Sequence, residues 1–148
     1  MQYVTAIISW KKGIFPLNLG IKAKSSISKI FMQMAVIKRS ITAGLHFGSV
    51  IFDSLYFSSR QVSFLEREKK YWIAEAKSNR KIFLDGKWTR LRDYAASLNL
   101  RDMTAYNLDD STYFMTSITA EMKNMGKVQA IISTGKNSEK FFVTNRID

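Results

Sequence analysis

Cysteine is missing from all 148 positions, which excludes disulfides and thiolate metal sites. Proline occurs once, at Pro16. Histidine occurs once, at His46, which has no neighbour at metal-ligand spacing and is read as a bystander. Long apolar runs are missing too. Val4–Trp10 is interrupted by Thr5 and Ser9, and nothing approaches the ~18 apolar residues of a membrane span. The start, Met1-Gln2-Tyr3-Val4, has no basic segment followed by an apolar one, so no secretory signal is read. A cytoplasmic protein with no membrane partner is the expectation. No glycine-rich phosphate loop is found, and no Ser/His/Asp arrangement is supported.

Acidic residues are few, 12 against 23 Lys and Arg, for a net charge of +11. Such a balance favours a polyanionic partner, although a solvated basic surface is the plainer alternative. The excess is uneven. Residues 1–80 carry 13 Lys/Arg against 4 Asp/Glu, a net of +9, and residues 81–148 carry 10 against 8, a net of +2. Apolar residues make up 46% of the chain, enough for one domain with a real core.

Tyr3–Trp10 reads as a strand, Lys11-Lys12-Gly13 as a turn and Ile14–Lys22 as the second strand of a hairpin. Pro16 implies an edge or a bulge there. Ser25 or Ser26 can cap a helix whose apolar stripe is Ile27, Ile30, Phe31, Met34, Ile37 and Ile41, with Gly44 as its stop. Phe31, Met32 and Met34 are read as core rather than as a cofactor box. Ser49-Val50-Ile51-Phe52 is a short apolar run that fits a strand buried on both faces. Ser58 or Ser59 can cap a second helix with Val62 and Leu65 inward. Tyr71–Ala76 reads as the next strand, with Tyr71 and Trp72 as core aromatics. Helix, strand, helix, strand is the pattern of a parallel α/β sheet, with the opening hairpin as its antiparallel part.

After Arg80 the character changes. Asp85-Gly86 is a hairpin turn between Lys81–Leu84 and Lys87–Arg90. Leu91–Leu98 is a short helix. Met103–Leu108, Thr112–Ala120, Val128–Ser133 and Lys140–Thr144 read as strands joined by polar turns.

Asp53 follows the apolar run directly, where a ligand site is expected in an α/β sheet. It can be a ligand to Mg²⁺, a hard cation that takes oxygen donors, or a turn or helix-cap residue. Lys77-Ser78-Asn79-Arg80 follows the next strand. Two cations flanking two small polar residues suit a phosphate backbone, and equally an ordinary solvated loop. Trp88 either stacks on a base or packs.

Three segments resemble the DDE-type transposases of insertion sequences. Val50-Ile51-Phe52-Asp53-Ser54-Leu55-Tyr56-Phe57 is similar to the strand bearing that family's second catalytic Asp. Trp72-Ile73-Ala74-Glu75-Ala76-Lys77-Ser78-Asn79-Arg80 is similar to the strand and basic segment that follow. Phe141-Phe142-Val143-Thr144-Asn145-Arg146 is similar to the strand ending its β-rich insertion. Tyr3–Trp10 and Phe15-Pro16-Leu17 resemble its second and third core strands.

The resemblance implies an α/β fold, a ribonuclease H-like mixed sheet with flanking helices. It would be truncated at both ends, with residues 1–80 as partial core and residues 81–148 as β-rich insertion. It implies strand cleavage and joining at the DNA ends of an element, with two Mg²⁺ or Mn²⁺ ions held by Asp, Asp and Glu. Of that triad only Asp53 maps onto this chain, as catalytic and metal-binding residue. Lys77 and Arg80 map onto the DNA-contacting segment. The first Asp is expected before Met1 and the Glu after Asp148, so the chain alone is expected to be catalytically incomplete. The alternative is a non-catalytic protein that binds DNA or regulates full-length transposase. The Ser49–Phe52 strand is expected at the centre of the sheet, between the opening hairpin and Tyr71–Ala76.

Overall fold

A computed structural model describes residues 2–10, 13–22, 28–135 and 138–147, the first two stretches by their backbone. The chain divides into two compact units, Met1–Gly48 and Ser49–Asp148.

In the first unit, β1 (Gln2–Trp10) and β2 (Gly13–Lys22) form a two-stranded antiparallel sheet of their own. Its register shifts between Ala6, opposite Asn18, and Ile7, opposite Pro16. The lone proline therefore adjoins a bulge, where the loss of a ladder N–H is tolerated. Helix α1 (Lys29–Thr42) begins at Ser28, whose Oγ accepts from the Phe31 N–H at 3.4 Å. The expected caps, Ser25 and Ser26, and Ile27 lie outside the described residues. Gly44, at φ +78, stops the helix in the left-handed conformation that glycine adopts without strain. The buried face runs through Val36, Ile37 and Ser40. Phe31 is not core, being 49% exposed.

The second unit holds one mixed sheet of eight strands. These are β3 (Ser49–Phe52), β4 (Tyr71–Ala76), β5 (Lys81–Leu84), β6 (Lys87–Arg90), β7 (Thr104–Leu108), β8 (Ser111–Met122), β9 (Gly126–Thr134) and β10 (Glu139–Thr144). The order is β3-β4-β10-β9-β8-β5-β6, with β7 on β8. Only β3 and β4 run parallel among these pairs, joined by α2 (Ser59–Arg67) as a crossover. Ser58 caps α2, its Oγ accepting from the Gln61 N–H at 3.2 Å. Val62 and Leu65 are fully buried, as the helical spacing requires. The β5–β6 turn falls at Asp85-Gly86, both with positive φ (50° and 79°). This is the pairing of residues that two-residue hairpins favour. A short helix α3 (Leu91–Ala96) follows β6.

The core lies on one face of this sheet. Trp72, Ala74 and Ala76 alternate inward along β4. Phe141 and Val143 do so on β10, and Val128, Ala130 and Ile132 on β9. Tyr71, expected inside, points the other way and is 51% exposed, with the Arg146 guanidinium 5.7 Å from its ring centre. The period-two pleat makes neighbours face opposite ways, so Tyr71 and Trp72 cannot both be core when only one face is covered.

Two expectations about β3 are corrected by the same geometry. It is not buried on both faces, because only Phe52 is buried and Ile51 is 76% exposed. Nor is it central. Among the described residues it pairs with β4 alone, and the opening hairpin pairs within itself. An apolar run reports how side chains partition between faces and carries no record of how many strands lie alongside. The boundary drawn near Lys81 does not interrupt the sheet either, because β10 returns to pair with β4.

Candidate functional site

The parallel pair β3–β4 places the carboxyl ends of both strands at one end of the sheet. Asp53 leaves β3 there and Lys77 leaves β4. Asp53 is exposed and closes a tight turn: its Oδ1 accepts from the Leu55 N–H at 2.6 Å, and its carbonyl from the Tyr56 N–H at 3.1 Å. An aspartate that accepts from the backbone two residues on is a turn-forming residue. One carboxylate oxygen is thereby engaged. Tyr56 sits close enough for burial first, and the Asp53 charge second, to raise its phenol above the ordinary value of 10.0.

That coupling gives a titration test. The neutral phenol is favoured in the fold, so this contribution to stability is present below pH 10 and is lost as pH rises through the raised folded value. Asp53→Asn removes the charge and leaves the burial. In ring-labelled NMR the Tyr56 midpoint should fall and still exceed 10. A midpoint that stays or rises would show that the Asp53 carboxylate does not face Tyr56.

Beyond β4, the Arg80 N–H closes a turn on the Lys77 carbonyl at 3.0 Å. The start of α3 docks on this loop. Leu91 N–H donates to the Arg80 carbonyl at 2.8 Å and Arg92 N–H to the Ser78 carbonyl at 3.0 Å. β10, antiparallel to β4, brings Glu139 and Lys140 to the same end. A groove of about 550 Å³ results, lined among others by Ser54, Glu75, Lys77, Ser78, Asn79, Arg92, Glu139 and Lys140. Its charges are mixed, and Lys140 Nζ donates to Glu75 Oε1 at 2.7 Å.

The chain matches no protein-family model, and no curated protein matches it.

Of the residues singled out in the sequence, Lys77 lines the groove and Asp53 adjoins it through Ser54. Arg80 turns inward. Its Nη2 donates to the Phe57 carbonyl at 2.6 Å, and its guanidinium lies 4.9 Å from the Phe57 ring centre. Arg92 and Lys140 were not foreseen, since only the docking of α3 and the return of β10 deliver them. No local signal marks either residue. His46 is exposed. Among the described residues, no group of three or more His, Cys, Asp or Glu is placed to hold a metal ion. Asp53 by itself supplies one partly engaged carboxylate, which does not amount to a two-metal cradle.

Proposed function

We propose that the chain is part of the catalytic region of a DDE-type transposase, built on a ribonuclease H-like sheet, and that it acts on DNA. One observation carries this reading. Two segments that resemble the family independently, at Asp53-Ser54 and at Lys77-Ser78-Asn79, are brought together by the parallel pair and line one groove through Ser54 and Lys77–Asn79. Lys77 and Arg92 are exposed there, and cations of this kind suit phosphate oxygens. Arg80 braces the loop from beneath through the Phe57 carbonyl and ring. In the intact family Mg²⁺ or Mn²⁺ would supply the Lewis acid for phosphoryl transfer. The donor set around Asp53 does not provide for it, and no step through a metal follows from these residues.

The second reading, a non-catalytic DNA-binding or transposase-regulating protein, is favoured by the turn itself: Asp53 serves its own backbone, and no carboxylate cluster surrounds it among the described residues.

The test is a titration of monodisperse protein against duplex DNA carrying element ends, at several salt concentrations. Affinity should fall with salt at about −0.9 per phosphate neutralised, and Lys77→Ala with Arg92→Ala should flatten the slope by about two units. No binding at low salt would remove the DNA role. With Mg²⁺ or Mn²⁺ added, the DNA should stay intact. Cleavage that Asp53→Asn abolishes would show a complete catalytic site and sink the second reading.

A further inference from the structure

We infer that the exposed face of the β5–β6 hairpin is a stacking platform for single-stranded DNA, with Trp88 and Phe83 as the base-binding rings. Phe83 and Trp88 stand directly opposite in the ladder, their ring centres 5.3 Å apart and tilted by 55°. They are 36% and 48% exposed, although the buried Ile82 shows that this hairpin has a covered face available. The next pair on the same face is Lys81 opposite Arg90, both exposed. Like charges directly opposite each other destabilise a hairpin, and no ion pair relieves either one among the described residues. On the β8 side, Glu121 is in register with Phe83, and Lys127 is in register with Glu121. Three cations therefore share this face with one carboxylate. Asp85 sits at the hairpin tip, and its charge, second to burial, pushes the Tyr94 phenol on α3 upward.

The arrangement selects its partner by shape and charge. Bases in a duplex are already stacked and cannot lie on a side-chain ring, whereas every single-stranded base has a free face. Residues two apart on a strand are about 7 Å apart. A base on Trp88 thus leaves its adjoining phosphate within reach of Lys81 or Arg90. The cations argue against an apolar protein surface as the occupant. The choice of DNA rests on the function proposed above, while the platform itself is separate from the Lys77 groove.

The experiment titrates the full chain with oligothymidylate and, in parallel, with duplex DNA. Trp88→Ala should weaken oligothymidylate binding about tenfold or more and leave duplex binding unchanged, and Trp88→Phe should restore most of the loss. Lys81→Ala with Arg90→Ala, which keeps both rings, should flatten the single-strand salt slope by about 1.4 units. Oligothymidylate affinity indifferent to both variants would overturn the platform even if duplex binding persists. Loss of duplex binding alone would overturn the groove and leave the platform standing. Tighter binding of oligouridylate would overturn the choice of DNA. Self-association in sedimentation that Trp88→Ala abolishes, with no effect on oligothymidylate, would make the face a protein interface and overturn the proposal.

Discussion

Trp72→Ala should destabilise the Ser49–Asp148 unit by about 3–5 kcal/mol, read as a lower denaturant midpoint at unchanged slope. Trp72 is the largest fully buried side chain in the unit. Its ring lies 6.3 Å from Phe52 and 5.8 Å from Phe57, centre to centre, so it joins the end of β3 to the turn that follows Asp53. Removing it leaves a cavity that its aromatic neighbours cannot collapse to fill. Small domains have about 5–15 kcal/mol in total, so the variant should be largely unfolded under mild denaturant. Trp72→Phe should cost less, because Nε1 has no hydrogen-bond partner among the described residues to lose. A loss below about 1 kcal/mol for Trp72→Ala would mean that this aromatic cluster does not anchor β3.

Arg80→Ala should cost about 1.5–3 kcal/mol, the range for a hydrogen bond from a charged donor, and it also strips the cation from the face of the Phe57 ring. Its half-buried guanidinium holds the Phe57 carbonyl across 23 residues of chain. For a unit of roughly 100 residues that corresponds to a fall in Tm of about 6 °C or more. Arg80→Lys should recover little, because an ammonium lacks the planar fork that donates to Phe57 while covering its ring. Lys77→Ala, at an exposed position, should move stability by no more than about 0.5 kcal/mol and should register in DNA binding instead. Thermal unfolding of the three variants separates the two residues that the sequence placed side by side. An Arg80→Ala protein of unchanged Tm and flattened salt slope would return Arg80 to the role of a simple phosphate ligand.

Much of the second unit is decided locally, and those parts were legible in the residues. Tyr71–Ala76, Lys81–Leu84 and Lys87–Arg90 are strands over the spans expected of them. Ser58 caps α2, and Asp85-Gly86 turns the hairpin with positive φ at both residues. Each of these follows from propensity, pleat alternation or turn chemistry within a few residues. The candidate site is a different matter. Asp53 and Lys77 were visible because each follows a strand. Lys140 meets Glu75 across 65 residues, and Arg92 arrives only because the N–H groups of Leu91 and Arg92 find the carbonyls of Arg80 and Ser78. The tertiary structure alone decided that β3 lies at an edge, that β10 runs beside β4, that Tyr71 faces outward and that Arg80 turns in on Phe57. Periodicity says which residues share a face. Which face is covered, and which strand lies next to which, depend on pairing between distant segments, and a local pattern carries no record of that.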